Sequence, residues 1–113
     1  MRNITQTLYA DVSEPLASEA ANQIYPQSLL SFNSPAGPTH YQDEAYDGRR
    51  VYVRTTQDQA LPIEAQDAFV RECGVGWRVV TLESSHSPFL SMPDRLADVV
   101  EGSLRGFGVG VGV

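Results

Sequence analysis

The chain has 113 residues, 42% of them apolar, and a formal net charge of −6, a size that suits one small domain or a piece of a larger one. The acidic balance excludes a general nucleic-acid binder, which needs a basic footprint. Every basic residue is Arg, so Schiff-base lysine chemistry and a P-loop lysine are excluded as well.

In chain order, residues 7–12 form a short mixed segment. Ser13 reads as an N-cap, with Glu14 and Pro15 in the first turn of a helix. Leu16, Ala20 and Ile24 share one face of that helix, and Pro26 ends it. Leu29, Leu30 and Phe32 make a small apolar patch. Residues 33–48 are rich in Asn, Ser, Pro, Gly and Asp and read as a connecting loop, either a lid-to-core connection or a mobile segment. Val51 to Thr55 is β-branched and aromatic and reads as a strand. Pro62 to Cys73 reads as a helix, with Pro62 and Glu64 suited to its start, Gly74 to its end, and Ala65 and Phe69 on one face. Trp77 to Leu82 reads as a second strand. Ser91-Met-Pro-Asp94 has capping-box spacing ahead of a helix to about Leu104, with Leu96, Val99, Val100 and Leu104 on one face. The alternating Gly and Val of 106–113 read as a flexible tail, the alternative being an added edge strand. Strand, helix, strand, helix predicts a βαβ unit with parallel strands, hence an α/β fold.

Asp58 lies three residues past the first strand and His86 four past the second. Both therefore fall on loops at the carboxyl ends of parallel strands, where open α/β sheets place their sites. Adjacent strand ends are about 4.8 Å apart, so a carboxylate on one loop can reach an imidazole on the next. Such a pair makes chemical sense. A serine hydroxyl is a weak nucleophile until histidine takes its proton, and a carboxylate fixes the imidazole tautomer and stabilises the imidazolium. The order acid then histidine, with one crossover between, matches the end of the α/β-hydrolase order serine, acid, histidine. Position alone also fits a turn-forming Asp and an ordinary surface His.

The flanking residues carry more. The block Thr55-x-x-Asp58 with Leu61-Pro62 behind it and Gln66 in the next helix, and the block Ser85-His86-Ser-Pro-Phe-Leu-Ser-x-Pro93, resemble the C-terminal part of an α/β-hydrolase subfamily. That subfamily includes plant methylesterases, hydroxynitrile lyases and related esterases. Residues 7–32, from Leu-Tyr-Ala-Asp11 through Pro26-Gln27 to Phe32, resemble its cap segment. The resemblance implies a partial α/β-hydrolase fold: a partial cap over 1–32, the connecting loop 33–48, a core piece over 49–105 and the glycine-rich tail 106–113. It implies that Asp58 is the triad acid and His86 the triad base. The lyase branch has a lysine just after the histidine, where this chain has Ser87, so the resemblance favours ester hydrolysis. The Gly-x-Ser-x-Gly nucleophile elbow is absent from this sequence, as is the oxyanion loop. Gly102-Ser-Leu-Arg-Gly106 has leucine at its centre and falls at the last helix.

The expected function is the C-terminal part of a serine carboxylic-ester hydrolase acting on a small, mostly apolar ester. Its rivals are a non-catalytic remnant that binds a small molecule or partner, and an enzyme that reuses Asp58 and His86 as an acid–base pair without serine. No cofactor is expected. His40 with Asp43 and Glu44 makes a poor metal site, since two histidines and one cysteine are spread over the chain. Cys73 reads as a small core residue. Glu83 is the alternative to Asp58 as the partner of His86. No run of about 18 apolar residues is present, so no membrane span is expected. Met1–Ala10 lacks the apolar stretch of a signal peptide, and a single cysteine gives no sign of an oxidising compartment, so the expected location is cytoplasmic. A sheet type that normally is covered on both faces fits a truncated gene product, a fragment, or a subunit that completes itself by pairing as a homo-oligomer.

Overall fold

The computed structural model of the chain describes residues 3–108. Its elements are α1 (Ile4–Leu8), α2 (Leu16–Asn22), α3 (Leu29–Asn33), a 3-10 turn (Glu44–Tyr46), β1 (Val51–Thr55), α4 (Ile63–Glu72), β2 (Arg78–Leu82), α5 (Pro88–Ser91) and α6 (Pro93–Gly106). Among these residues no helix is long and apolar enough to cross a membrane.

The expected β–α–β–α order is present. β1 and β2 are parallel neighbours in register from Val51↔Arg78 to Thr55↔Leu82, and α4 makes the crossover. The ladder runs past both ends of the strands: Arg78 N–H donates to the Arg50 carbonyl at 2.9 Å, and Thr56 N–H to the Leu82 carbonyl at 3.0 Å. These contacts turn the even-numbered backbone groups of β1 toward β2 and the odd-numbered ones toward an open edge. At the far end of that edge Gln66, 1% exposed, occupies Thr55 with both halves of its amide. Arg54 fixes α4 further along through two bonds to Asp67, at 2.6 and 2.8 Å. Gly74 ends this unit as expected, at φ +82°.

The apolar faces read from periodicity turn outward on α2 and α4 and in part on α6. Ala17, not Leu16 or Ile24, is the buried residue of α2, and Leu16 and Ile24 are exposed. Ala65 and Phe69 are exposed, and Gln66 is the buried residue of α4. On α6 Val99 is buried, while Val100 and Leu104 line an open apolar groove with Phe89 and Pro93. Apolar periodicity marks a surface that burial would stabilise, and within the described residues little lies against these three.

Three local expectations are corrected. Residues 4–8, which overlap the mixed segment 7–12, form α1, capped by Asn3, whose side chain accepts the Thr5 N–H at 2.9 Å. α2 is capped at Pro15 rather than at Ser13, which contributes only its carbonyl to the Ala17 N–H at 3.0 Å. The capping box does not form: Ser91 is the last residue of α5, and α6 begins on Pro93, whose missing N–H is no loss at a first helical position. The second half of the 33–48 loop is tied to the core. The buried Arg50 guanidinium donates to the carbonyls of Tyr41 and Asp43 and to the Asp47 carboxylate. Tyr41 stacks on Trp77 with ring centroids 6.1 Å apart. α6 runs through Gly106, and Phe107 caps it. The alternative of an edge strand in the tail concerns 109–113, which lie outside the described residues.

Candidate functional site

The parallel register brings Thr55 and Leu82 side by side, and the loops leave the strands together. Gln57 N–H donates to the Ser84 carbonyl at 3.0 Å, one more rung beyond the sheet. Asp58 and His86 follow on adjacent loops, and His86 Nδ1 lies 2.8 Å from Asp58 Oδ2 and 3.1 Å from Oδ1. Glu83 is exposed and is not the partner of the imidazole.

Asp58 is also the turn former that its loop position predicts. Its Oδ1 accepts the backbone N–H groups of Ala60 and Leu61, both at 2.8 Å, and its Oδ2 accepts the Thr55 hydroxyl at 2.9 Å. Its side chain is 4% exposed against 43% for His86. Burial pushes the Asp58 carboxyl up, but the Leu61 N–H, His86, the Ala60 N–H and the Thr55 hydroxyl together hold it below the ordinary carboxylate range. An ionised carboxylate only accepts hydrogen bonds, so Nδ1 carries a proton, and in the neutral imidazole Nε2 keeps its lone pair. Among the described residues Nε2 has no hydrogen-bond partner.

The Thr-x-x-Asp, Leu-Pro and Gln residues form one web. Thr55 donates to Asp58, and Gln66 Nε2 donates to the carbonyls of Thr55 and Leu61, both at 2.8 Å. Pro62 then opens α4. The acid is thereby fixed to the strand before it and the helix after it.

The histidine loop is built from buried serines. Ser84 and Ser85 are 0% exposed and Ser87 is 2% exposed. The Ser85 hydroxyl donates to Asp11, a contact across 74 residues of sequence. Residue spacing gives no sign of that contact, and Asp11 is not among the sequence-predicted site residues. A hollow of about 300 Å3 borders the pair, lined by Val53, Leu61, Pro88, Phe89 and Leu96. A second, of about 590 Å3, lies among Tyr9, Val12, Ala17 and Gln59, next to the Asp58 loop.

The other candidates stand elsewhere. His40 pairs with Asp43 at 3.0 Å on the surface, and among the described residues no three His, Cys, Asp or Glu side chains are grouped as a metal site. Cys73 is buried, and its Sγ accepts the Trp77 indole N–H at 2.7 Å. Ser103 lies inside α6, its hydroxyl donating to the Val99 carbonyl at 2.7 Å.

No family model matches the chain. Over 77 residues, 68% of its length, it is 32% identical to a pyrethroid hydrolase of Sphingobium wenxiniae. The match spans 26% of that relative, so the chain corresponds to about a quarter of it. It is also similar to a crystal structure of a pyrethroid hydrolase, with a TM-score of 0.61 and 27% identity, over 85% of this chain and 37% of that one. Parallel strands joined by a helical crossover, together with these similarities, give the chain a partial α/β-hydrolase fold that is esterase-like in sequence and structure.

Proposed function

We propose that this chain supplies the acid and the base of a serine carboxylic-ester hydrolase, the nucleophile and the oxyanion donors being provided from outside this sequence. The observation that carries the reading is the 2.8 Å bond between His86 Nδ1 and a buried Asp58, with Nε2 left open. In the reaction Nε2 takes the proton of the attacking hydroxyl as its oxygen bonds to the ester carbonyl. Asp58 stabilises the imidazolium, which then gives that proton to the departing alcohol. Water repeats the sequence on the acyl-enzyme: Nε2 takes its proton and returns it to the nucleophile as the acid leaves.

The substrate is a small, largely apolar ester. The pyrethroid hydrolase similarity supports that class, and so do the apolar linings of the hollow beside the pair. The two quoted blocks support the finer reading of a methylesterase-like subfamily, and residues 1–32 act as part of its cap. Ser87 after the base, rather than lysine, favours hydrolysis over cyanohydrin cleavage.

Two measurements test this. The chain alone should hydrolyse 4-nitrophenyl acetate no faster than free imidazole does. A chimera in which this chain replaces the matching segment of the Sphingobium hydrolase should be active, and His86→Ala and Asp58→Asn should each lower its kcat by about 10³-fold or more. A chimera that keeps its activity in His86→Ala, or an isolated chain whose turnover disappears in that variant, overturns the proposal.

A further inference from the structure

We infer that Asp11 is a positioning residue for His86, holding the turn that carries the imidazole by accepting the Ser85 hydroxyl. The inference rests on the acid–base reading of Asp58 and His86 and adds to it a part for the N-terminal segment. Among the described residues, His86 is held, apart from its ring, through its neighbours. Upstream, the Ser84 carbonyl is fixed to the Asp58 loop by Gln57 N–H at 3.0 Å. Downstream, the Ser87 carbonyl accepts the Leu90 N–H at 3.0 Å and so belongs to α5. Between them the Ser85 hydroxyl spans the turn: it donates to Asp11 and accepts the Ser87 N–H at 3.5 Å.

A serine hydroxyl is a rotor with one proton, and its acceptor decides where its lone pairs point. Asp11 sets that direction, so that Ser85 Oγ faces the Ser87 N–H across His86. Ser85 is 0% exposed, so in the folded chain its hydroxyl relies on Asp11 rather than on solvent for an acceptor. Asp11 is itself held in place. It sits in the turn between α1 and α2, where Val12, 8% exposed, donates its N–H to the Tyr9 carbonyl at 3.0 Å. The N-terminal segment therefore reaches the histidine loop by one hydrogen bond from a fixed turn.

The test uses the full chain labelled with ¹⁵N and reads the tautomer of His86 from its ring-nitrogen shifts at about pH 9, above the ordinary histidine range. A His40→Gln variant assigns the other imidazole. The wild type should be the Nδ1–H tautomer. In Asp11→Ala the ratio of Nδ1–H to Nε2–H should fall about five- to tenfold, the size of one net hydrogen bond. Asp11→Asn, whose amide oxygen accepts the same bond, should stay within about twofold of the wild type. Ser85→Ala removes the donor, leaves the half-exposed Asp11 to solvent, and should match Asp11→Ala. It decides the matter if Asp11→Ala does not fold. A folded Asp11→Ala or Ser85→Ala with the wild-type ratio overturns the positioning role alone. A wild-type chain with His86 in the Nε2–H form overturns the Asp58–His86 reading, and the positioning role with it.

Discussion

Gln66 meets Thr55 across the open edge of β1 as a neighbouring strand would, its Oε1 accepting the Thr55 N–H at 2.9 Å and its Nε2 donating to the Thr55 carbonyl at 2.8 Å. The same Nε2 reaches the Leu61 carbonyl at 2.8 Å. One buried amide thus satisfies three backbone groups on either side of Asp58. Gln66→Leu keeps the volume and orphans all three, so it should lower stability by about 2–4 kcal/mol. Gln66→Glu keeps the acceptor but buries a charge whose second oxygen faces the Thr55 and Leu61 carbonyls, so at neutral pH it should cost at least as much. Urea midpoints of the three proteins give the order.

The carboxyl of Asp58 is held below its ordinary range, so its contribution to stability has a fixed sign with pH. The native state binds this proton more weakly than the unfolded chain. Its contribution is complete above the unfolded value of about 4 and disappears as pH falls through the lower native one. Asp67, bonded to Arg54, is shifted in the same direction. The wild-type urea midpoint should fall below about pH 4, and Asp58→Asn should flatten part of that fall. An Asp58→Asn profile parallel to the wild type would show that the four donors around the carboxylate contribute no pH dependence.

Gly74 stands at φ +82°, just after the end of α4, and the Gln42 amide donates to the Cys73 carbonyl beside it at 2.7 Å. A Cβ at Gly74 has room, its nearest neighbour being Gln42 Nε2 at 3.8 Å, so any cost of Gly74→Ala is backbone strain. That cost should be about 1–2 kcal/mol. Gly76→Ala, with nothing within 4 Å and no positive φ, should be neutral or slightly stabilising. Thermal melts of the two variants make the comparison.

Phe89, Val100 and Leu104 form an exposed apolar groove with Pro93 and Leu96. Among the described residues the β1 edge at Val51 and Val53 has no strand partner. Purified alone, the chain should bind a hydrophobic dye or self-associate. Val100→Glu combined with Phe89→Ser should reduce dye fluorescence several-fold and shift sedimentation toward the monomer. A wild-type monomer that binds no dye would remove the basis for association.

The readable half of this fold is the half whose signals are local. Val51–Thr55 and Arg78–Leu82 are β-branched runs, and Gly74 is demanded by a backbone angle, so composition alone locates them. Asp58 and His86 follow from counting residues past those strands. Ser85 and Asp11 do not, because a contact across 74 positions leaves no spacing to read. The buried faces of α2 and α4 differ from the apolar ones for another reason. Periodicity shows which side of a helix is apolar, while burial depends on what lies against it; here small Ala17 and polar Gln66 are the covered residues, and Leu16 and Phe69 are open. The capping-box reading failed because a second short helix, α5, ends on the serine meant to cap α6.

The two contacts that define the histidine loop differ in reach, and that difference has a kinetic meaning. His86 and Asp58 are 28 residues apart, Ser85 and Asp11 74. Closing chains of those lengths costs about 3 and about 4 kcal/mol of loop entropy. The shorter closure also gains the β1–β2 ladder and the crossover helix, while the longer one gains a single buried bond and the seat of Val12. Refolding followed at individual residues should therefore show His86 reaching its native ring environment before Tyr9 does. The contact between Asp58 and His86 is then an early product of folding, and the arrival of residues 3–22 is the late step.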